Sequence, residues 1–234
     1  MFSRILVGGL FAGFLAGAIA AVLQLAFVQP VLLQAELYES GRLVHFGAAR
    51  TAGAAVETAG IDLWRDGLSV LFAILLYTGY ALVLVAAMAL AAERGIRITA
   101  RQGLIWGMAG FVSVQLAPAL GVPPELPGTA AADIELRRAW WVVTVAATAA
   151  GLALVAFGKG WTMRGVAAAL ILAPHVVGAP HPASFAGPAP PEIGSLFAAR
   201  ALGVGLAAWA LLGLLGAWFW LREGNRREDA QRAA

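Results

Sequence analysis

ILVGGLFAGFLAGAIAAVLQLAFV, residues 5–28, is an unbroken apolar stretch that contains no charged side chain. A bilayer core takes about 20 helical residues, so this stretch is long enough to cross a membrane. Ala18-Ile19-Ala20 resembles the cleavage site of a secretory signal, but the apolar run continues to Val28, and signal cores extend over only about 7–15 residues. We therefore expect a membrane-spanning helix that is retained.

Three glycines in this stretch, Gly9, Gly13 and Gly17, recur at a spacing of four residues. Positions four apart share one helix face, and small residues on that face let a second backbone approach closely. The chain holds 28 glycines, so composition alone also produces such spacings. The pattern predicts that this face packs against another helix.

The composition of the whole chain points the same way. The 234 residues are 61% hydrophobic and 12% charged, whereas soluble domains carry about 25% charged residues. The chain has no cysteine, which excludes disulfides, thiolate metal ligands and a cysteine nucleophile. A net charge of +3 that is dispersed along the chain gives no reason to expect a nucleic-acid partner. We expect an integral membrane protein in contact with the lipid bilayer.

Further apolar runs extend this interpretation to an all-α polytopic membrane protein with about six transmembrane helices. The predicted spans are residues 5–28, 68–92, 102–120, 140–157, 161–177 and 196–221. They form a single transmembrane domain over residues 1–221, with a polar outer loop at 30–67 and a charged cytoplasmic tail at 222–234. The fifth span is short and ends at Pro174 and His175, so a re-entrant segment is the alternative there.

Six spans place both termini on the same side, and the positive-inside rule identifies that side. One face collects ten basic residues and four acids, and the other collects six basic residues and nine acids. The ten basic residues are Arg4, Arg94, Arg97, Arg101, Lys159, Arg164, Arg222, Arg226, Arg227 and Arg232. We therefore expect both termini in the cytoplasm and an acidic outer face.

Proline breaks at the outer ends of the spans suggest three helical hairpins. Leu116-Ala-Pro118 precedes one proline-rich loop, and Leu172-Ala-Pro174 precedes another. Gln29-Pro30 is a weaker version in the first hairpin. Proline and glycine also collect at helix ends without any repeat, so both interpretations stay open.

Motifs for catalysis are absent from the sequence. It contains no P-loop, GxSxG, HExxH or dinucleotide-binding fingerprint. The histidines lie near a helix end or in loops, which does not suit haem ligation within a bundle. We expect a protein that is not an enzyme and that holds no permanently bound cofactor.

Imidazole and carboxylate groups collect on the predicted outer face. Their combination suits divalent first-row metals such as cobalt and nickel. His175 and His181 are six residues apart and converge only if Gly178 and Pro180 turn the chain between them. The predicted metal ligands are His175, His181, His45, Glu36, Glu39 and Glu125. A solvated acidic loop is the alternative for the glutamates, and a wet interfacial side chain is the alternative for the histidines.

Two amides within spans, Gln24 and Gln115, are candidates for lining a path. An amide in a span faces a partner helix or a cavity, and an interhelical hydrogen bond is the alternative role. Gln115 lies one turn before Pro118, and a proline leaves a preceding carbonyl without its helical donor. We predict that Gln115, Gln24, Pro118 and Pro174 line the entry of a path for ions.

These motifs together resemble the CbtA family of predicted cobalt transporter subunits. The similar segments cover nearly the whole chain, and the most specific is QLAPALGVPPELPG. They are the N-terminal Met-Phe-x-Arg, residues 29–39, residues 115–128, residues 138–141 and residues 174–182. The resemblance implies a multi-pass protein of the bacterial inner membrane that takes up Co²⁺ for cobalamin synthesis.

The same resemblance implies a partner, the small CbtB subunit, which has a single span and a histidine-rich end. It supplies no assignment of metal ligands, which rest on the physical reasoning above. Uptake of nickel or of a corrinoid remains an alternative, because ligand chemistry does not separate Co²⁺ from Ni²⁺. A non-transporting scaffold subunit of a membrane complex is an alternative from another class.

Overall fold

The computed structural model describes residues 2–44 and 62–233, with side chains described through residue 224. The fold is helical, with no strand among the described residues. The α-helices are α1 (Phe2–Leu23), α2 (Gln29–Glu39), α3 (Leu63–Glu93), α4 (Ala100–Phe111), α5 (Ala117–Ala119), α6 (Ile134–Phe157), α7 (Gly160–Val177) and α8 (Pro191–Ala233). Two π-helical segments, π1 (Gln24–Val28) and π2 (Val112–Leu116), interrupt them. The all-α class is confirmed.

Five of the described helical stretches are long and apolar enough to cross a membrane. They correspond to the first, second, fourth, fifth and sixth predicted spans, and α7 is a continuous helix of 18 residues. The third predicted span is also helical throughout, as α4, π2 and α5 in succession. It contains Gln102, Gln115 and Pro118, which lower its apolar character. The chain is a multi-pass membrane protein.

Helices begin where short polar side chains satisfy the first free backbone N–H groups. The Asp62 carboxylate accepts from the N–H groups of Trp64 and Arg65 at the start of α3. Asp133 does the same for α6. Thr99 and Gln102 bond reciprocally, side chain to backbone, at the start of α4. This capping box sets the first residue of α4 after the basic turn.

The chain forms two compact units. The first unit comprises residues 1–25, 62–111 and 204–234. In it α1 packs against α3 through the predicted glycine face: Gly9 lies against Leu82, Gly13 against Thr78 and Gly17 against Ile74. A Cβ on Gly13 would overlap the Cα atom of Thr78. The predicted role of this face in close helix packing is confirmed.

A second glycine contact in the first unit joins α4 to the C-terminal part of α8. Gly103 and Gly107 meet Gly213, and a Cβ on Gly107 would also overlap the carbonyl oxygen of Trp209. The Trp209 ring is buried and stacks on Tyr80 with ring centroids 4.9 Å apart. Close backbone contacts at glycine therefore hold α1 against α3 and α4 against α8.

The second unit comprises residues 26–61 and 112–203. Its α6 and α7 form a hairpin in which Gly151 lies against Ala167 and Ile171. A separate small core joins α2, the loop after α5 and the start of α8. Its buried members are Val31, Ala35, Leu126 and Ile193, with Leu32, Tyr38, Ala189 and Phe197 packed around them. This core fixes the segments that carry the predicted glutamate ligands Glu36, Glu39 and Glu125.

Candidate functional site

The second unit contains most of the residues that the sequence singles out. Gln24 belongs to the first unit, and His45 lies outside the described residues. The members in the second unit are Glu36, Glu39, Gln115, Pro118, Glu125, Pro174, His175 and His181. The candidate site is therefore described within this unit.

The two π-helical segments have the same relation to proline. The segment π1 ends two residues before Pro30, and π2 ends two residues before Pro118. Gln24 lies in π1 and Gln115 lies in π2. Proline provides no N–H to a preceding carbonyl, and a π-helical turn shifts the hydrogen-bond pattern from i→i+4 to i→i+5. Single π-helical turns within α-helices are frequent at functional sites.

Pro174 differs from these two prolines. It lies inside α7, which continues to Val177 without a π-helical turn. The sequence pairs Pro174 with Pro118 through the Leu-Ala-Pro motif and treats Pro30 as the weaker relative. In local backbone form, however, Pro30 and Pro118 are the similar pair.

Gln115 presents an oxygen with unused capacity for a ligand. Its Oε1 atom is buried and accepts no hydrogen bond from the described part of the chain. The carbonyl of the buried Pro118 accepts from the N–H groups of Val122 and Gly121, at 2.8 and 3.1 Å. The Gln115 amide oxygen is therefore a better candidate cation ligand than the carbonyl of Pro118 itself.

Trp140 contacts the last turn of α7 at Pro174 and His175, where the sequence predicted a break but the helix continues to Val177. Its buried indole N–H donates to the Pro174 carbonyl at 3.2 Å, and the Gly178 N–H donates to the same oxygen at 3.1 Å. The rings of Trp140 and His175 meet edge to face, with centroids 5.9 Å apart. The contact of Trp140 with α7 is visible only in the fold, because Trp140 and Pro174 are 34 residues apart in the chain.

The structure places His181 on an exposed loop, where its ring centroid lies 6.3 Å from that of Phe185. Among the described residues, no three His, Asp or Glu side chains form a group able to hold a metal ion. His175 and His181 therefore belong to no three-ligand cluster in the part of the chain that is described. Both assignments stay predictions.

The predicted glutamates are held in different ways. Glu125 forms an ion pair with Arg137 at 2.8 Å, and these side chains are 29% and 25% exposed. Glu39 lies on α2 beside Gly128, which has a φ of +74°. A Cβ atom placed on Gly128 would lie 3.3 Å from the carboxyl carbon of Glu39. Glu36 is half-buried on α2. Glu125 would have to leave Arg137 before it could bind a metal.

The loops that carry these groups are tied to each other. The Ala130 N–H donates to the Ala186 carbonyl at 2.7 Å, and Gly187 lies against Thr129. Together with the small core around Leu126, these contacts join α2, the loop before α6 and the loop after α7. The unit thus presents its acidic side chains from segments that are packed together.

Sequence reasoning missed Arg200 as a site residue. This arginine lies in α8 within the predicted sixth span, and its Nη1 atom donates to the Phe27 carbonyl in π1 at 3.0 Å. The sequence did contain a signal for Arg200, because it is a charged residue in the otherwise apolar run of residues 196–221. An ionisable residue in a span is a functional candidate by default.

Comparison with known proteins gives one family. Residues 2–221 match the family described as "Probable cobalt transporter subunit (CbtA)". No curated protein and no solved structure matches the chain. The match covers every described helix through the apolar part of α8.

Proposed function

Because the chain belongs to the CbtA family and is a membrane subunit of a probable cobalt transporter, we propose that it moves Co²⁺ inward across the bacterial inner membrane for cobalamin synthesis. The family match over residues 2–221 is the observation that carries this proposal. On the proposed topology both termini are cytoplasmic, which follows from the distribution of basic residues.

The first step of the proposed mechanism is capture at the acidic outer face. Glu36, Glu39 and Glu125, with His45 and His181, attract the ion and replace part of its hydration shell. An acidic surface raises the local concentration of a divalent cation. The packing of α2 against the adjoining loops supports this role, because it keeps Glu39 and Glu125 on one joined assembly.

His175 and Gln115 act after capture. The edge-to-face contact with Trp140 orients the His175 ring in the last turn of α7. The buried Gln115 Oε1, which has no donor among the described residues, then offers an oxygen ligand within π2. Gln24 has the same proposed role as an oxygen ligand within π1.

The partner in this proposal is a small single-span subunit with a histidine-rich end, as the family resemblance implies. A family of transporter subunits requires a further component. Histidines on that component would pass metal to the acidic face of this chain.

Uptake of radioactive Co²⁺ into washed cells that express the chain, with and without the partner, tests the proposal. We expect the double substitution His175→Ala and His181→Ala to abolish uptake at low cobalt concentration. Phe185→Ala, which removes the ring beside His181 but no ligand, is the matched control and should retain uptake. Unchanged uptake in the double variant would overturn the site assignment. Competition by Ni²⁺ and by a corrinoid identifies the cargo.

The glycine packing of the first unit favours a second candidate, a non-transporting scaffold subunit. Gly13 against Thr78 and Gly107 against Gly213 leave no room for a methyl group between the helices. Reconstitution of the purified chain separates the two functions. A scaffold would bind its partner without any cobalt flux, whereas a transporter would show flux that depends on Gln115 and His175.

A further inference from the structure

Arg200 lies nine residues into α8, in a stretch that is apolar enough to cross a membrane. Among the residues whose side chains are described, no carboxylate pairs with it, and its recorded partner is the Phe27 carbonyl at 3.0 Å. An arginine near the end of a span can direct its guanidinium to the water interface. Arg200 lies in such a position and donates to the Phe27 carbonyl of the first helix in an exposed hydrogen bond.

The backbone that Arg200 contacts is the irregular part of the first helix. Phe27 lies in π1 next to Ala26, whose carbonyl loses its α-helical donor because Pro30 has no N–H. Carbonyl oxygens at such an irregularity are suited to coordinate a cation. The Arg200 guanidinium therefore lies, as a cation attached to the chain, on the carbonyl next to the one that Pro30 leaves without its α-helical donor.

We propose that Arg200 is a tethered cation that keeps the π1 segment closed to small monovalent cations until the transported ion displaces it. The positive charge repels K⁺, which cannot replace it, whereas a divalent cation competes more strongly for the carbonyl oxygen. This makes Arg200 a specificity-determining residue. The inference rests on the proposed function, because it needs a cation path along π1.

K⁺ efflux from proteoliposomes loaded with K⁺, with cobalt absent, tests this role. We expect Arg200→Gln, which keeps hydrogen-bond donors but removes the charge, to raise K⁺ efflux by roughly 100-fold. That factor corresponds to removing the repulsion between two unit charges about 6 Å apart at an effective dielectric constant of about 20. Arg200→Lys keeps the charge and should leave efflux near that of the unmodified chain.

The matched control is Arg138→Gln, which removes a charge from a side chain that is 65% exposed and paired with Glu135. It should not change efflux. Equal efflux from Arg200→Gln and the unmodified chain would overturn the proposal. Equal leakage from Arg200→Lys and Arg200→Gln would also overturn it, because the role would then belong to the guanidinium shape and not to its charge.

Arg200→His provides a readout that does not depend on comparing separately folded variants. Imidazole gains a positive charge as the pH falls, so lowering the pH from about 7.5 to about 5.5 adds positive charge at this position. Efflux from this variant should be low at the lower pH and should rise reversibly at the higher pH, with no such change in the unmodified chain. Efflux independent of pH would contradict the proposal. Cobalt uptake by the unmodified chain in the same vesicles separately reports on the proposed function.

Discussion

Close glycine contacts join two helix pairs in the first unit, whereas the second unit has one such contact, at Gly151, and adds an ion pair between a loop and a helix and a small loop core. Gly13 against Thr78 represents the first kind of contact. The Trp140–Pro174 hydrogen bond and the Glu125–Arg137 ion pair represent the second. Close glycine packing excludes water and ligands from the space between helices. Hydrogen bonds and ion pairs instead involve polar groups that can exchange one partner for another. This difference is the reason that we expect metal exchange in the second unit.

The largest effect that separates the units is expected at Gly13. Gly13→Ala should lower the free energy of unfolding by about 2–4 kcal/mol, because the new methyl overlaps backbone atoms of Thr78 that cannot move aside. This change in the free energy of unfolding is measured by titrating SDS into the protein in detergent micelles. Gly79→Ala is the matched control, since nothing lies within 4 Å of a Cβ at Gly79. A small loss at Gly13, similar to that at Gly79, would show that the glycine contact does not hold the first unit.

Gln115 should show opposite effects on stability and on transport. Gln115→Leu removes a buried acceptor that has no donor among the described residues, so we expect stability to be unchanged or to rise by about 1–2 kcal/mol. Cobalt uptake should fall sharply, because the oxygen ligand is lost. Micelle unfolding and vesicle uptake on the same preparation measure the two effects. A loss of stability without a loss of uptake would assign Gln115 to helix packing.

Trp140→Phe should lower the free energy of unfolding by about 1 kcal/mol, because it removes a buried hydrogen bond to the Pro174 carbonyl but retains most of the aromatic ring. Its adjacent control is Trp141→Phe, since Trp141 is 39% exposed. If Trp140 orients His175, the first variant also raises the cobalt concentration needed for half-maximal uptake. An equal effect of both substitutions on uptake would argue against that orientation.

The smallest effect on stability is expected at Glu125. Glu125→Gln breaks a partly exposed ion pair with Arg137, and such pairs contribute about 1 kcal/mol or less. Glu135→Gln breaks the more exposed pair with Arg138 and is the matched control. We expect only Glu125→Gln to weaken uptake at low cobalt. Arg137→Gln should strengthen it, because the metal then has no guanidinium to displace from Glu125.

Much of the fold could be predicted from the sequence, and part of the candidate site could not. The stretch at residues 5–28 predicted both a span and a glycine face, and α1 confirms them. The resemblance to the CbtA family is confirmed over residues 2–221. The roles of His175, His181 and Gln115 stay predictions. Gln115 gains support from its buried oxygen, whereas the two histidines belong to no described three-ligand group.

The sequence by itself determined the helical membrane class and the glycine face of α1. The length of an apolar run and the spacing of small residues are local properties, so the sequence alone is enough to recognise them. Only the tertiary structure decided that Trp140 donates to Pro174, that Arg137 holds Glu125 and that Arg200 bonds to Phe27. Two of these pairs are 34 and 173 residues apart in the chain. Their partners depend on how the helices pack, which no local pattern specifies.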